Sequence, residues 1–167
     1  TDLEMSRLSL LCLLHDIGKV GIPLEILNKP GKLTKEEWEV LKTHPEKGYQ
    51  IAISSWELDD IAEMILYHHE RWDGKGYPSG IAGEMIPMLS RIISIVDSYD
   101  AMVNDRSYRK SISIEEAKAE MERCSGTQFD PGLTKEFLRM LEEKPELARG
   151  DVMDEEGLPR NHDVVIP

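Results

Sequence analysis

HHERWDGKGYP, residues 68–78, sets two adjacent histidines directly ahead of a segment dense in turn formers, with Asp73, Gly74, Gly76 and Pro78 following in quick order. Imidazole is the commonest metal-ligating side chain, and here a pair of imidazoles stands where a helix has to end. The stretch is either a ligand pair or only a helix terminus, and the rest of the chain has to decide which.

Outward from it, helix signals dominate. Residues 5–16 are apolar almost all round, as expected of a buried helix, with Gly18 to end it. Thr34 with Glu37, and Ser113 with Glu116, have the spacing of capping boxes that open helices. Further helices are expected over 46–54, 58–70, 88–104, 114–124 and 132–144, joined by Pro/Gly-bearing connections at 21–31, 73–87 and 126–131. Strand signals are nearly absent, so the fold class is all-α. After Pro145 the tail reads as irregular, or as a short strand at its apolar end, 164–166.

A length of 167 residues with 40% apolar and 31% charged content fits one globular domain. The longest apolar run, 10–14, is far too short to span a bilayer, and the start has no signal-peptide pattern, so a cytoplasmic protein is expected. Cys12 and Cys124 match no paired metal-binding spacing and read as buried, reduced thiols. A net charge of −12 repels phosphates, which disfavours nonspecific binding to nucleic acid or an anionic membrane. An anionic substrate would need a local source of positive charge, and bound metal cations are one.

Four of the five histidines, His15, His44, His68 and His69, fall near helix ends or interruptions. Asp16 closes an apolar helix and Asp97 lies within RIISIVDSYDAMV, where an ionised carboxylate is costly unless a cation or strong hydrogen bonds compensate it. Taken singly, each Asp is more often a hydrogen-bonded structural residue, and a lone HH pair is a surface helix end; together they suit a multinuclear metal site. Adjacent helical residues point about 100° apart, so His68 and His69 are expected to serve two neighbouring ions rather than grip one jointly. Asp16, a carboxylate, can bridge.

The ordered series HDIGK (15–19), GIPLEILNKPGKLT (21–34), His44 with Gly48, HHERWDGKGYP (68–78), Ile86-Pro87, RIISIVDSYDAM (91–102), RSYR (106–109) and GTQFDP (126–131) resembles the HD-GYP phosphodiesterases over most of the chain. The resemblance implies an all-helical domain over 1–145 that hydrolyses the bacterial second messenger cyclic di-GMP to pGpG, with GMP a further product, at a bi- or trinuclear metal centre. It implies His15, Asp16, His44, His68, His69 and Asp97 as metal ligands, with Asp16 as the bridge and Lys19 close to the scissile phosphate. Arg106 and Arg109 hold the substrate, and the loop carrying Asp73, Gly74, Gly76, Tyr77 and Pro78 shapes entry and docks GGDEF-domain proteins. Glu70 reads as a partner of a ligating imidazole. Two departures stand out. Ser107 replaces the family's usual Pro, and the helix supplying a further His, and in trinuclear members a Glu, ahead of the HD pair has no counterpart in the fourteen residues before His15. The expectation is therefore an N-terminally incomplete domain from a longer parent chain, holding two divalent ions, iron or manganese, without a third, and able to self-associate as a homodimer.

Two competing readings share part of this pattern. A general HD phosphohydrolase acting on nucleotides explains the HD pair and the late Asp but not HHERWDGKGYP. A non-catalytic cyclic di-GMP sensor or GGDEF-binding scaffold explains the loop, and would be favoured by loss of a ligand.

Overall fold

The computed structural model describes residues 1–105 and 110–149. Arg106, Ser107 and Arg109 lie outside the described residues, as does the tail 150–167 with its expected short strand. Eight α-helices are described: α1 (Asp2–Leu14), α2 (Leu24–Leu27), α3 (Lys35–Leu41), α4 (His44–Ile53), α5 (Asp59–Leu66), α6 (Met88–Val103), α7 (Ile114–Cys124) and α8 (Pro131–Glu143). Short 3-10 turns cover Ile17–Gly21, Gly83–Met85 and Pro145–Arg149. The described residues contain no strand, only one isolated bridge between Ser125 and Phe129.

Local chemistry accounts for where several helices begin. Both capping boxes form: the Thr34 hydroxyl accepts from Glu37 N while the Glu37 carboxylate accepts from Thr34 N, and Ser113 with Glu116 repeats the arrangement. α8 opens on Asp130, whose carboxylate accepts from Gly132 N and Leu133 N, with Pro131 in the first turn.

Two apolar clusters hold these helices, and α6 belongs to both. Leu89 and Ile93 of α6 pack with Leu11, Ala52, Ile61, Ala62 and Ile65 from α1, α4 and α5. Further along α6, Ile95, Tyr99 and Met102 pack with Ala117, Met121, Leu141 and Phe129. The core thus runs along one helix as a shared wall, and α6 carries Asp97 between its two ends.

The expectation of a buried N-terminal helix is corrected. Only Leu11 of α1 is fully buried, while Leu3, Met5 and Leu13 are exposed. α1 meets α5 and α6 along one side, and an apolar residue on the other side has nothing described to pack on. Cys12 accordingly is exposed, against expectation, while Cys124 is buried; both are free thiols.

The approach of the Ile17–Gly21 turn to α4 positions the site. A Cβ placed on Gly18 would lie 1.9 Å from the His44 carbonyl oxygen and 2.4 Å from Gly48 N, so two backbones touch where any side chain would intervene. Gly18 is required by this contact rather than as a helix stop, since α1 already ends at Leu14.

Candidate metal centre

His15, His44 and His68 reach the site by one device. The Nδ1 of His15 lies 3.1 Å from the Cys12 carbonyl, that of His44 2.8 Å from the Leu41 carbonyl, and that of His68 2.5 Å from the Ile65 carbonyl. A carbonyl can only accept, so each Nδ1 carries the proton. The three carbonyls belong to the last turns of α1, α3 and α5, where helices leave acceptors without intrahelical donors. Each ring therefore caps a helix end through Nδ1 and presents a bare Nε2 lone pair on its other side.

Those lone pairs converge. His44 Nε2 is 3.3 Å from His68 Nε2 and 3.2 Å from Asp16 Oδ1, and His68 Nε2 is 3.9 Å from the same oxygen. His15 Nε2 lies 3.5 Å from Asp16 Oδ2. Asp16, His44, His68 and His69 each offer a ligand atom within 4.8 Å of all the others. Asp16 Oδ1 is buried with no hydrogen-bond partner among the described residues. Lone pairs facing lone pairs around a carboxylate repel unless positive charge lies among them, either a second proton on His44 or a cation. Burial pushes the His68 imidazole down to about 3, and burial with the neighbouring His68 charge pushes His69 down to about 2, so these two rings reject protons. Three neutral imidazoles and one carboxylate are the donor set of a divalent transition metal, and the residues present fit one.

Asp16 itself is held ionised. Burial raises its carboxyl, but the His44 ring facing it, the Lys19 ammonium beside it and the nearby His15 outweigh burial and hold the group well below the ordinary carboxylate range. Lys19 Nζ sits 2.5 Å from Asp16 Oδ2, so the lysine is tied to the carboxylate and only half-covered.

His68 and His69 behave differently from expectation. α5 ends at Leu66, so both follow the last helical turn instead of lying within it. Their rings turn toward each other, with centroids 4.0 Å apart, and join one ligand group. His44, which alone would have read as a surface residue, is 1% exposed.

A cavity of about 500 Å³ opens beside the cluster, with His68, His69 and Asp97 in its wall. Asp97 and His15 thus adjoin the four-residue group without belonging to it. The loop of residues 73–78 forms the roof, where Tyr77 stacks on His69 at 4.9 Å and 29°. Burial, then the charges of Asp16 and Asp97, hold the Tyr77 hydroxyl well above its ordinary range, so it stays protonated.

Backbone conformation and hydrogen bonds together set this loop. Gly74 has φ +74°, whereas Gly76 is needed for closeness: a Cβ there would lie 2.4 Å from Arg71 N and 2.5 Å from Glu70 Cα. The Tyr77–Pro78 peptide is cis. Glu70 is 3% exposed and accepts from Ser79 N and Gly80 N through Oε1, so its described bonds anchor the loop instead of the expected imidazole. Across the molecule, Trp72 N and Asp73 N donate to the Gln128 and Thr127 carbonyls, while Arg71 pairs with Asp73 and Gln128. The turn before α8 thereby buttresses the roof. Trp38, Lys42, Lys75, Ser94, Ser98 and Gln128 also line the cavity, and sequence reading nominated none of them. Of these, Lys75, Ser94, Ser98 and Gln128 lie inside the quoted motifs, whereas Trp38 and Lys42 carried no signal.

The model of the family described as HD domain matches residues 2–133. The chain belongs to the HD domain family. This HD domain is 46% identical over 136 residues to a cyclic di-GMP phosphodiesterase of Vibrio cholerae, covering 77% of the chain and 28% of that protein. It is 45% identical over 138 residues to a cyclic di-GMP phosphodiesterase of Thermotoga maritima, covering 81% of the chain and 38% of that protein. The HD domain thus spans well under half the length of either relative. A crystal structure of a cyclic GMP-AMP specific phosphodiesterase of V. cholerae (V-cGAP3) superposes with a TM-score of 0.64 at 24% identity, over 90% of the chain and 41% of that structure, which establishes the shared fold. No helix among the described residues is long and apolar enough to cross a membrane.

Proposed function

We propose that this HD domain, over residues 1–145, is a metal-dependent phosphodiesterase that hydrolyses cyclic di-GMP to pGpG, with GMP a further product. The observation that carries the reading is the set of bare imidazole nitrogens gathered on Asp16 at the wall of a cavity. Two divalent cations, iron or manganese, fit the reading: Asp16, His44, His68 and His69 would hold one, and His15 and Asp97, sharing Asp16, the other. When bound, such ions lower the pKa of water and neutralise charge on a phosphoryl group.

The chain's own residues supply the rest. Asp16 stays ionised at all physiological pH and would be a ligand shared by the two ions. Lys19, now bound to Asp16, places a point charge where phosphoryl oxygens gain negative charge. Arg106 and Arg109 hold the distal phosphate by bidentate forks. Tyr77 stacks on the His69 ring and covers one of its faces. The reading extends to a cytoplasmic setting, to a longer parent chain, to homodimer formation and to docking of GGDEF-domain proteins on the loop of residues 73–78.

The test is turnover of cyclic di-GMP by anaerobically purified protein loaded with iron or manganese, with products separated by chromatography. Wild type should convert substrate, and Asp16→Ala should lose both metal and turnover. Undiminished hydrolysis by Asp16→Ala would overturn the reading.

A further inference from the structure

Trp38 stands at the mouth of the cavity with no core to fill. α3 has no buried residue, and the indole is 45% exposed. It meets Tyr77 edge to face, with centroids 6.5 Å apart at 77°. Tyr77 in turn lies 4.9 Å from the His69 ring. The indole is therefore two ring-to-ring steps from the ligand cluster, on the path from the metal ligands to solvent. Lys42 follows Trp38 by four residues, which places both on one helix face, and both line the cavity. The Lys42 ammonium now rests 2.8 Å from the exposed Glu39.

An open aromatic face beside a cation, one nucleotide's reach from a phosphate-binding centre, is the chemistry that holds a base. We infer that Trp38 is a stacking platform for a purine base of the substrate, with the base laid on the indole while its phosphate lies at the His/Asp cluster. The inference rests on the proposed phosphodiesterase function and adds to it the residue that recognises the base. It accounts for an exposed tryptophan in a wall whose other side chains are mostly imidazole, hydroxyl and charged groups.

The experiment measures equilibrium binding of GMP and of inorganic phosphate to the manganese-loaded protein by calorimetry, alongside cyclic di-GMP turnover. Base–aromatic stacking of the usual strength predicts that Trp38→Ala weakens GMP binding by about 5- to 150-fold. Phosphate affinity and metal content should stay unchanged, and Trp38→Phe should recover most of the loss. In turnover the deficit should appear in KM rather than kcat. Wild-type GMP affinity in Trp38→Ala overturns the inference, as does equal loss of GMP and phosphate, which would make Trp38 a prop for the loop. The two readings fail separately. A wild type that binds GMP through Trp38 but leaves cyclic di-GMP intact refutes the phosphodiesterase reading alone. Turnover with a Trp38→Ala variant of unchanged GMP affinity refutes the stacking alone.

Discussion

Gly18→Ala should disable the metal centre from outside it. The added Cβ would sit 1.9 Å from the His44 carbonyl oxygen, 2.4 Å from Gly48 N and 2.9 Å from the His44 carbonyl carbon, whereas real Cβ contacts essentially never fall below 3.0 Å. All three atoms are backbone, so the turn and α4 must part by about 1.1 Å at least, which is the gap between 1.9 and 3.0 Å. Asp16 rides on one side of that separation and His44 on the other, now 3.2 Å apart. Metal–ligand distances tolerate roughly 0.2 Å, so the displacement exceeds the tolerance about five-fold. Forced overpacking costs about 1–3 kcal/mol, or a fall in Tm of roughly 2–12 °C for a domain of this size. Thermal unfolding and metal content after dialysis against manganese measure both effects. Gly21→Ala, in the same turn, is the control, because its Cβ meets only the aliphatic chain of Lys47, which can swing aside. Full metal content and an unchanged Tm in Gly18→Ala would refute the claim that backbone contact sets the ligand geometry.

Glu70→Ala should leave Ser79 N and Gly80 N without their acceptor, at about 1–3 kcal/mol for each donor that stays buried; hydrogen exchange at residues 77–80 should quicken while metal is retained. His68 and His69, with folded pKa values of about 3 and about 2, lie below the unfolded value of 6.5. As pH falls through 6.5 the unfolded chain takes up protons first, so the metal-free protein should lose stability from about pH 6.5 downward, by up to about 1.4 kcal/mol per pH unit for each histidine. Urea midpoints of chelator-treated protein at pH 7.5 and 5.5 test this, and His68→Gln should reduce the difference. Arg109→Ala should keep its metal yet weaken substrate binding by about 1.5–3 kcal/mol; an emptied metal site in that variant would show that Arg109 supports the centre instead.

What could be read in advance was what is local. The boxes at Thr34 and Ser113 need only neighbours three residues away, and both form. The all-helical class follows from the same short-range periodicity. Burial of His44 was not legible, because it depends on Gly18 and Gly48 meeting across 30 residues of chain. Nor was the fixing of the 73–78 loop by Thr127 and Gln128, which lie more than fifty residues on. α1 misled for a related reason: an all-round apolar pattern cannot say which side finds a partner, and only Leu11 is fully buried. Trp38 carries no motif, and its meaning appears only once Tyr77 stands opposite.

The opening alternative, ligand pair or helix terminus, dissolves at His15, His44 and His68, where one ring does both jobs through opposite nitrogens. Because the carbonyl that orients each ring belongs to the chain just behind it, folding alone sets the rings' aim before any ion arrives. Demetallation then strips charge compensation but leaves every helix end closed, in contrast to domains whose metal is their only core. The apoprotein should persist as a loaded trap, open to whichever suitable cation is most abundant around it, and the identity of the resident ion becomes a matter of supply as much as of the protein.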